Sequence, residues 1–186
     1  MPRKGLAKED ILAAATNLIE EKGFDQFSLR ELAGKLGVTP SSLYNHASNV
    51  SELTVWVGHM ALERLSEQLQ SGGENQTNDQ KLWAIAVSYR NYAKENPELY
   101  KAIAHMPSFE DDSLKEESHS VMAALYQILD TYSLTQEEKI QFARAYRSAM
   151  HGFVTLEMAG YFQRGQVSAD ESYRYLIESL LKRLEK

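Results

Sequence analysis

Apolar residues return at three- and four-residue intervals along almost the whole chain, and no six-residue stretch alternates cleanly enough to pleat. That period belongs to helices with one buried face, so the expected fold is all-α. Ile11, Leu12, Ala15, Leu18 and Ile19 share a face over residues 7–22, and Gly23 follows where a left-handed cap belongs. Ser28 and Glu31 have the spacing of a capping box ahead of residues 29–36, which Gly37 closes. Thr39 before Pro40 is an N-cap and first-turn pair that opens a short helix over residues 40–46. Asn49 with Glu52 opens a longer helix through Leu69, with Leu53, Trp56, Val57, Met60, Ala61 and Leu65 facing inward. Residues 71–78, SGGENQTN, break the pattern as a loop. Thr77 and Gln80 then cap a helix that Pro97 ends while starting the next, over residues 98–105. A further helix within residues 108–134 carries Val121, Met122, Leu125, Tyr126, Ile128 and Leu129. Thr135 with Glu138 and Ser168 with Glu171 open the last two, running to about Gln163 and Leu184. The total is about nine helices with no internal repeat.

The composition removes several function classes. None of the 186 residues is cysteine, which excludes a disulfide scaffold, cysteine-ligated zinc and a thiol nucleophile. No apolar run approaches the roughly 20 residues a membrane span needs, and no signal-peptide core follows Met1 to Gly5, so a soluble, cytoplasmic protein with no membrane partner is expected. Glu116 and His119 have the Glu-x-x-His spacing of di-iron bundles, but the second copy such a site needs is missing. With no nucleophile elbow, phosphate-binding glycine loop or paired-histidine zinc motif either, the reading is not an enzyme: no catalytic residue, no metal and no cofactor.

The most informative segment is residues 28–53. Two short helices joined by a tight glycine-containing turn make a helix-turn-helix, whose second helix enters the DNA major groove. Leu29, Leu32, Ala33 and Leu36 supply its buried face, Val38 fills the turn, and Leu43 anchors the second helix. That leaves Ser41, Ser42 and Asn45 outward, where short polar groups reach base edges or phosphates.

The order of Ile11 to Ala15, Gly23-Phe24, Ser28-Leu29, Leu32-Ala33, Gly37 to Thr39 and Leu43 to His46 resembles the DNA-binding domain of the TetR family of transcriptional repressors. By that resemblance residues 40–46, starting at Pro40, form the recognition helix, and Thr39, Ser41, Ser42, Tyr44, Asn45 and His46 face DNA. Tyr44, His46 and Ser28 would contact phosphate, Arg30 belongs to the same surface, and Arg3 and Lys4 reach DNA from an N-terminal arm. Two positions depart from the family pattern: Ala47 stands where an aromatic is usual, and Val50 where a phosphate-contacting lysine is usual. Residues 1–50 carry six basic and six acidic side chains, so the whole net charge of -6 lies beyond them.

The division expected is a DNA-binding domain over residues 1–50 and a ligand-binding and dimerisation domain over 51–186. Ala145, Ala149, Gly152, Leu156 and Ala159 form a stripe of mostly small residues, and Tyr173, Leu176, Ile177, Leu180, Leu181 and Leu184 an apolar stripe on the last helix. Both favour homodimerisation through the last two helices, since a helix-turn-helix monomer reads only one half-site. A packing reason is expected for Gly152 and Gly160, because glycine inside a helix is unfavourable. Residues 91–103 and 148–162 resemble the WHG-type C-terminal domain of one TetR-like branch, although the tryptophan that names it is not evident. In that family the middle helices surround a small-molecule cavity. The aromatic and methionine set Trp83, Tyr92, Met106, Phe109, Met122, Tyr126, Met150 and His151 is the candidate lining for a largely apolar effector. His151 needs a polar partner, which could be the ligand, Glu157 or a carbonyl. The function implied is a ligand-released repressor on a palindromic double-stranded operator. The alternative is a helical scaffold or adaptor of the same fold that binds a protein and little DNA.

Overall fold

A computed structural model of the chain describes residues 6–69, 76–105 and 122–184. Among them nine α-helices follow in order: α1 Lys8–Lys22, α2 Leu29–Leu36, α3 Pro40–Leu43, α4 Val50–Leu69, α5 Asn78–Glu95, α6 Pro97–Ala104, α7 over residues 122–129, α8 Gln136–Met158 and α9 Ala169–Leu181. Short 3-10 turns occupy Phe24–Gln26 and Lys182–Leu184, and the described residues include no strand. Arg3, Lys4, Met106 and Phe109, together with Glu116 and His119, lie outside the described residues.

Local chemistry sets most helix starts. Thr135 and Ser168 each accept from the amide three residues on, while Glu138 and Glu171 return to the cap amide, completing two capping boxes. Thr77 and Gln80 make the same exchange at α5. At α4 the exchange is displaced by one residue: Asn49 Oδ1 accepts from the Glu52 amide at 2.9 Å, but Glu52 reaches Ser48 N–H at 2.7 Å. Ser28 accepts from the Glu31 amide at 3.4 Å, and the Glu31 carboxylate turns to the Ser28 hydroxyl and Lys22 instead of reaching the cap amide.

Three helix ends differ from the sequence expectation. α3 stops at Leu43, three residues early, and its continuation to His46 is a turn in which the His46 and Ala47 amides both donate to the Leu43 carbonyl at 2.9 Å. Asn45, Ser48 and Asn49 favour side-chain bonds over helix, and Asn49 is committed to capping α4. α8 ends at Met158, not near Gln163, because Gly160 adopts φ +81 and the Gly160 and Tyr161 amides close back onto Glu157 and Leu156. Gly160 is therefore a terminator, where an added Cβ would also meet the Gln163 side chain at 3.2 Å, whereas one at Gly152 would meet nothing within 4 Å among the described residues, so close packing inside the chain does not require Gly152. Gly23 has positive φ, +96, but with an extended ψ of 148 it is not a left-handed cap.

The chain forms two compact units. The first holds residues 6–62 with 96–105, so it continues along α4 past residue 50 and takes in α6. Ile11, Ala15, Ile19, Leu32, Leu43, Val57 and Leu99 build its core, each buried isoleucine, leucine or valine contributing roughly 1.5–3 kcal/mol. The second unit holds 63–69, 76–95 and 122–184, with α5, α8 and α9 each touching the other two. Its interior is tied to the α5 backbone by two buried phenols: Tyr146 donates to the Leu82 carbonyl and Tyr173 to that of Ala86 at 2.7 Å. Arg90, 8% exposed, grips Glu157 with two hydrogen bonds at 2.7 and 2.6 Å and Asp170 with a third at 2.7 Å, joining α5, α8 and the start of α9. Its guanidinium also lies 4.9 Å from the Tyr173 ring.

Candidate functional site

The turn between α2 and α3 is built by Gly37. At φ +66 and ψ 29 it ends α2, and the Gly37 and Val38 amides return to Gly34 and Ala33 at 3.2 and 3.0 Å. This doubly bonded left-handed close lets Val38 pack on the core while the chain reverses into α3. Leu43, 1% exposed, then fixes which side of α3 faces in. Thr39, Pro40, Ser41, Tyr44, Asn45 and His46 are exposed and Ser42 half-buried, with Tyr44 at 55%. Thr39 does not cap α3 with its side chain; its hydroxyl pairs with that of Ser42 at 3.0 Å. Ser28 is half-buried at the start of α2, and Arg30 is exposed one residue inside it.

The basic side chains of residues 6–53 are largely engaged within the chain. Lys22 pairs with Glu31, Lys35 with Glu21 at 2.8 Å, and Lys8 sits 4.3 Å over the Trp56 ring. Of the lysines and arginines described in residues 6–53, Arg30 alone stands outside these contacts. Ala47 is 2% exposed, so its departure from the family pattern changes the packing of the core. Val50 is 38% exposed at the first position of α4, where a cation would be open to a phosphate.

The first unit also contains a clamp that sequence reading missed. Glu98 in α6 accepts from the Phe24 amide at 2.7 Å and pairs with Lys101 at 3.0 Å; Lys101 also reaches Asp25 at 3.5 Å. The His105 and Phe24 rings lie 5.3 Å apart beside it. Burial raises the Glu98 pKa, but the Phe24 amide and Lys101 outweigh it and hold the carboxyl below its ordinary range. In sequence Glu98 resembles any acid in the first turn after a proline; nothing marks a partner 74 residues away.

In the second unit the candidate effector residues do not gather around one opening. Tyr92 and Met150 are buried, Met122 and Tyr126 half-buried, and Trp83 borders two outer hollows of about 400 and 330 Å³ beside α9. His151 is exposed, and its Nδ1 lies 3.3 Å from the Tyr89 hydroxyl, so Tyr89 is a polar neighbour, while Glu157 is held by Arg90 and Lys94. Partial burial and the Arg147 charge push the imidazole below the ordinary histidine range. A larger cleft of about 470 Å³ opens between the end of α4, α5 and α7. Leu69, Ala84, Ile85, Ala123, Ala124 and Ile128 form its apolar side, and Asn78, Lys81, Gln127 and Thr131 its polar side. None of the described candidate residues belongs to that lining, and its alanines carried no sequence signal. On α8, the stripe of Ala145, Ala149, Gly152, Leu156 and Ala159 is exposed or half-buried, opposite the buried Phe142, Tyr146 and Phe153. On α9, Leu176 and Leu180 are half-buried beside the buried Tyr173 and Ile177.

Two family models match this architecture. Residues 11–54 match the bacterial regulatory proteins of the tetR family, and residues 82–180 the tetracyclin repressor-like C-terminal domain. An uncharacterized HTH-type transcriptional regulator of Mycobacterium tuberculosis, Rv0681, is 31% identical over 156 residues, covering 83% of this chain and 72% of its own. Among solved structures, a TetR variant from Acinetobacter baumannii AYE in complex with minocycline aligns with a TM-score of 0.75 at 21% identity, over 97% of both chains. BioQ with its double-stranded DNA operator aligns at 0.71 and 19% identity, over 96% of this chain and 98% of that one. With a helix-turn-helix model on the first unit, a family C-terminal model on the second and a relative of the same kind across most of its length, the chain belongs to the TetR family of transcriptional regulators.

Proposed function

We propose that this regulator is a repressor that binds a palindromic operator as a homodimer and leaves it when a small-molecule effector occupies the second unit. The observation that carries the DNA half is the division of residues 39–46: Leu43 is sealed in the core while Thr39, Ser41, Tyr44, Asn45 and His46 face solvent. Short polar groups at Ser41, Ser42 and Asn45 suit base edges, and Ser28, Arg30, Tyr44 and His46 suit phosphates, with Arg3 and Lys4 adding contacts from the arm. The DNA-bound BioQ structure supports the same use of the fold.

Dimerisation follows from what one module can read. Two recognition helices separated by about 34–36 Å reach successive major grooves, and two-fold symmetry then demands a palindrome. The outward small-residue stripe of α8, with Leu176 and Leu180 on α9, is the surface we assign to the partner. Effector control is supported by the minocycline-bound relative and by the cleft in the second unit. A route to DNA is available through the chain itself: α5 belongs to the second unit, α6 to the first, and only Asn96 separates them. An effector that shifts α5 would thereby pull on the Glu98 clamp and favour a dimer with wrongly spaced recognition helices.

A gel-shift series on DNA upstream of the protein's own coding region tests this reading. The expected result is a retarded complex holding two chains per duplex that weakens steeply with salt. Binding that is absent from every inverted repeat tested, together with a flat salt response on generic DNA, would support the scaffold reading instead.

A further inference from the structure

We propose that the cleft between α4, α5 and α7 takes an amphiphilic carboxylate, with Lys81 as its counter-charge. This inference rests on the effector reading above and specifies its chemistry. Among the described lining residues Lys81 is the only ionisable one, so the described lining carries one positive charge in a chain whose net charge is -6. Lys81 is half-buried in the first turn of α5 and makes no ion pair among the described residues. The described carboxylates next in sequence to Asn78 and Thr131 are engaged elsewhere. Asp79 accepts the Tyr132 hydroxyl at 2.6 Å, and Asp130 pairs with Lys139 at 2.7 Å.

The remaining polar groups sort the ligand further. Asn78 donates to the Thr131 hydroxyl at 2.7 Å and Thr131 donates to the Ile128 carbonyl at 2.6 Å, so that corner is internally satisfied and rigid. Gln127 is exposed on the same lining and offers an amide N–H beside Lys81's charge. A head group that accepts but does not donate, and carries negative charge, matches this set; an ammonium does not. Ile85 and Ile128 give the tail an apolar surface, and Ala84 and Ala124 leave the room for it. About 470 Å³ lies within the range of small-molecule sites.

Decanoate, decanol and decylamine share a ten-carbon tail and differ in head charge, so titrating each into the full-length protein by calorimetry isolates the head group. Decanoate should bind about tenfold or more tighter than decanol, the return on one partly desolvated charge-assisted contact, with decylamine weakest. Lys81→Met should bring decanoate and decanol within about twofold of each other while leaving decanol unchanged. Ala124→Phe should remove binding of all three by filling the tail's space, with circular dichroism confirming an intact helical fold. Equal affinity for decanoate and decanol in the unaltered protein would overturn the proposal, as would a decanoate preference that survives Lys81→Met or binding that survives Ala124→Phe. Adding decanoate to a preformed operator complex separates the two layers: the head-group preference decides the site, and operator release decides whether the site is the effector's.

Discussion

Glu98 joins two segments of the first unit with one carboxylate, accepting from the Phe24 amide while pairing with Lys101. Because its pKa is lowered in the folded chain, its contribution is complete above the unfolded value near 4.5 and fades as pH falls through the lower folded value. Glu98→Gln should therefore lose about 1 kcal/mol at neutral pH and show a shallower loss of stability as the pH falls below the ordinary carboxylate value near 4.5. Urea melts at several pH values check both; an unchanged acid limb would show that the clamp is not what titrates. On the DNA face the single-residue lever is charge. On the proposed reading Arg30→Ala removes one phosphate contact and Val50→Lys adds one, so the first should reduce the slope of log affinity against log salt by about 1 and the second steepen it by about 0.9. Fluorescence anisotropy across a salt series reads both slopes, and parallel lines for all three proteins would place these residues away from DNA.

Arg90 does for elements what Glu98 does for residues: one guanidinium fixes α5 against α8 and the N-terminus of α9. Arg90→Met would leave Glu157 with Lys94 alone and should cost on the order of 3 kcal/mol, whereas Asp170→Asn, at a side chain 80% exposed, should be nearly silent. Denaturant midpoints compare the two directly, and equal losses would contradict the asymmetry. The same elements show what a sequence can reveal. The starts of α5, α8 and α9 were legible because a capping box closes within four residues, and Gly37 was legible because its left-handed turn is local. The ends of α3 and α8 were not: one depends on where Asn49 spends its side chain, the other on a glycine that reads equally well as a helix interior. Contacts across long separations left no mark. Arg90 with Glu157 spans 67 residues, Tyr89 with His151 spans 62, and the apolar wall of the cleft includes Ala84, Ala123 and Ala124, which look like ordinary helix. The recognition segment was readable for the opposite reason, since fold and surface are specified together within residues 28–53.

At the scale of the whole molecule, the acidity beyond residue 50 and the neutral first 50 residues mean that overall charge does little to draw the protein to DNA. On the proposed reading, specific affinity comes from pairing two modules, so self-association is required for operator binding. Gly152 offers a clean probe, because a side chain added there meets nothing within 4 Å inside the chain. Gly152→Leu should leave the fold's helicity unchanged yet weaken the dimer by about tenfold or more in sedimentation equilibrium; an unweakened dimer would move the interface off α8. The most direct test of the central claim is selection of binding sequences from a pool of random duplexes, followed by the mass of the complex formed on the winner. Enrichment of an inverted repeat with half-sites about one helical turn apart, carrying two chains per duplex, is the predicted result. A pool that stays random, or a non-repeated site holding one chain, would contradict it.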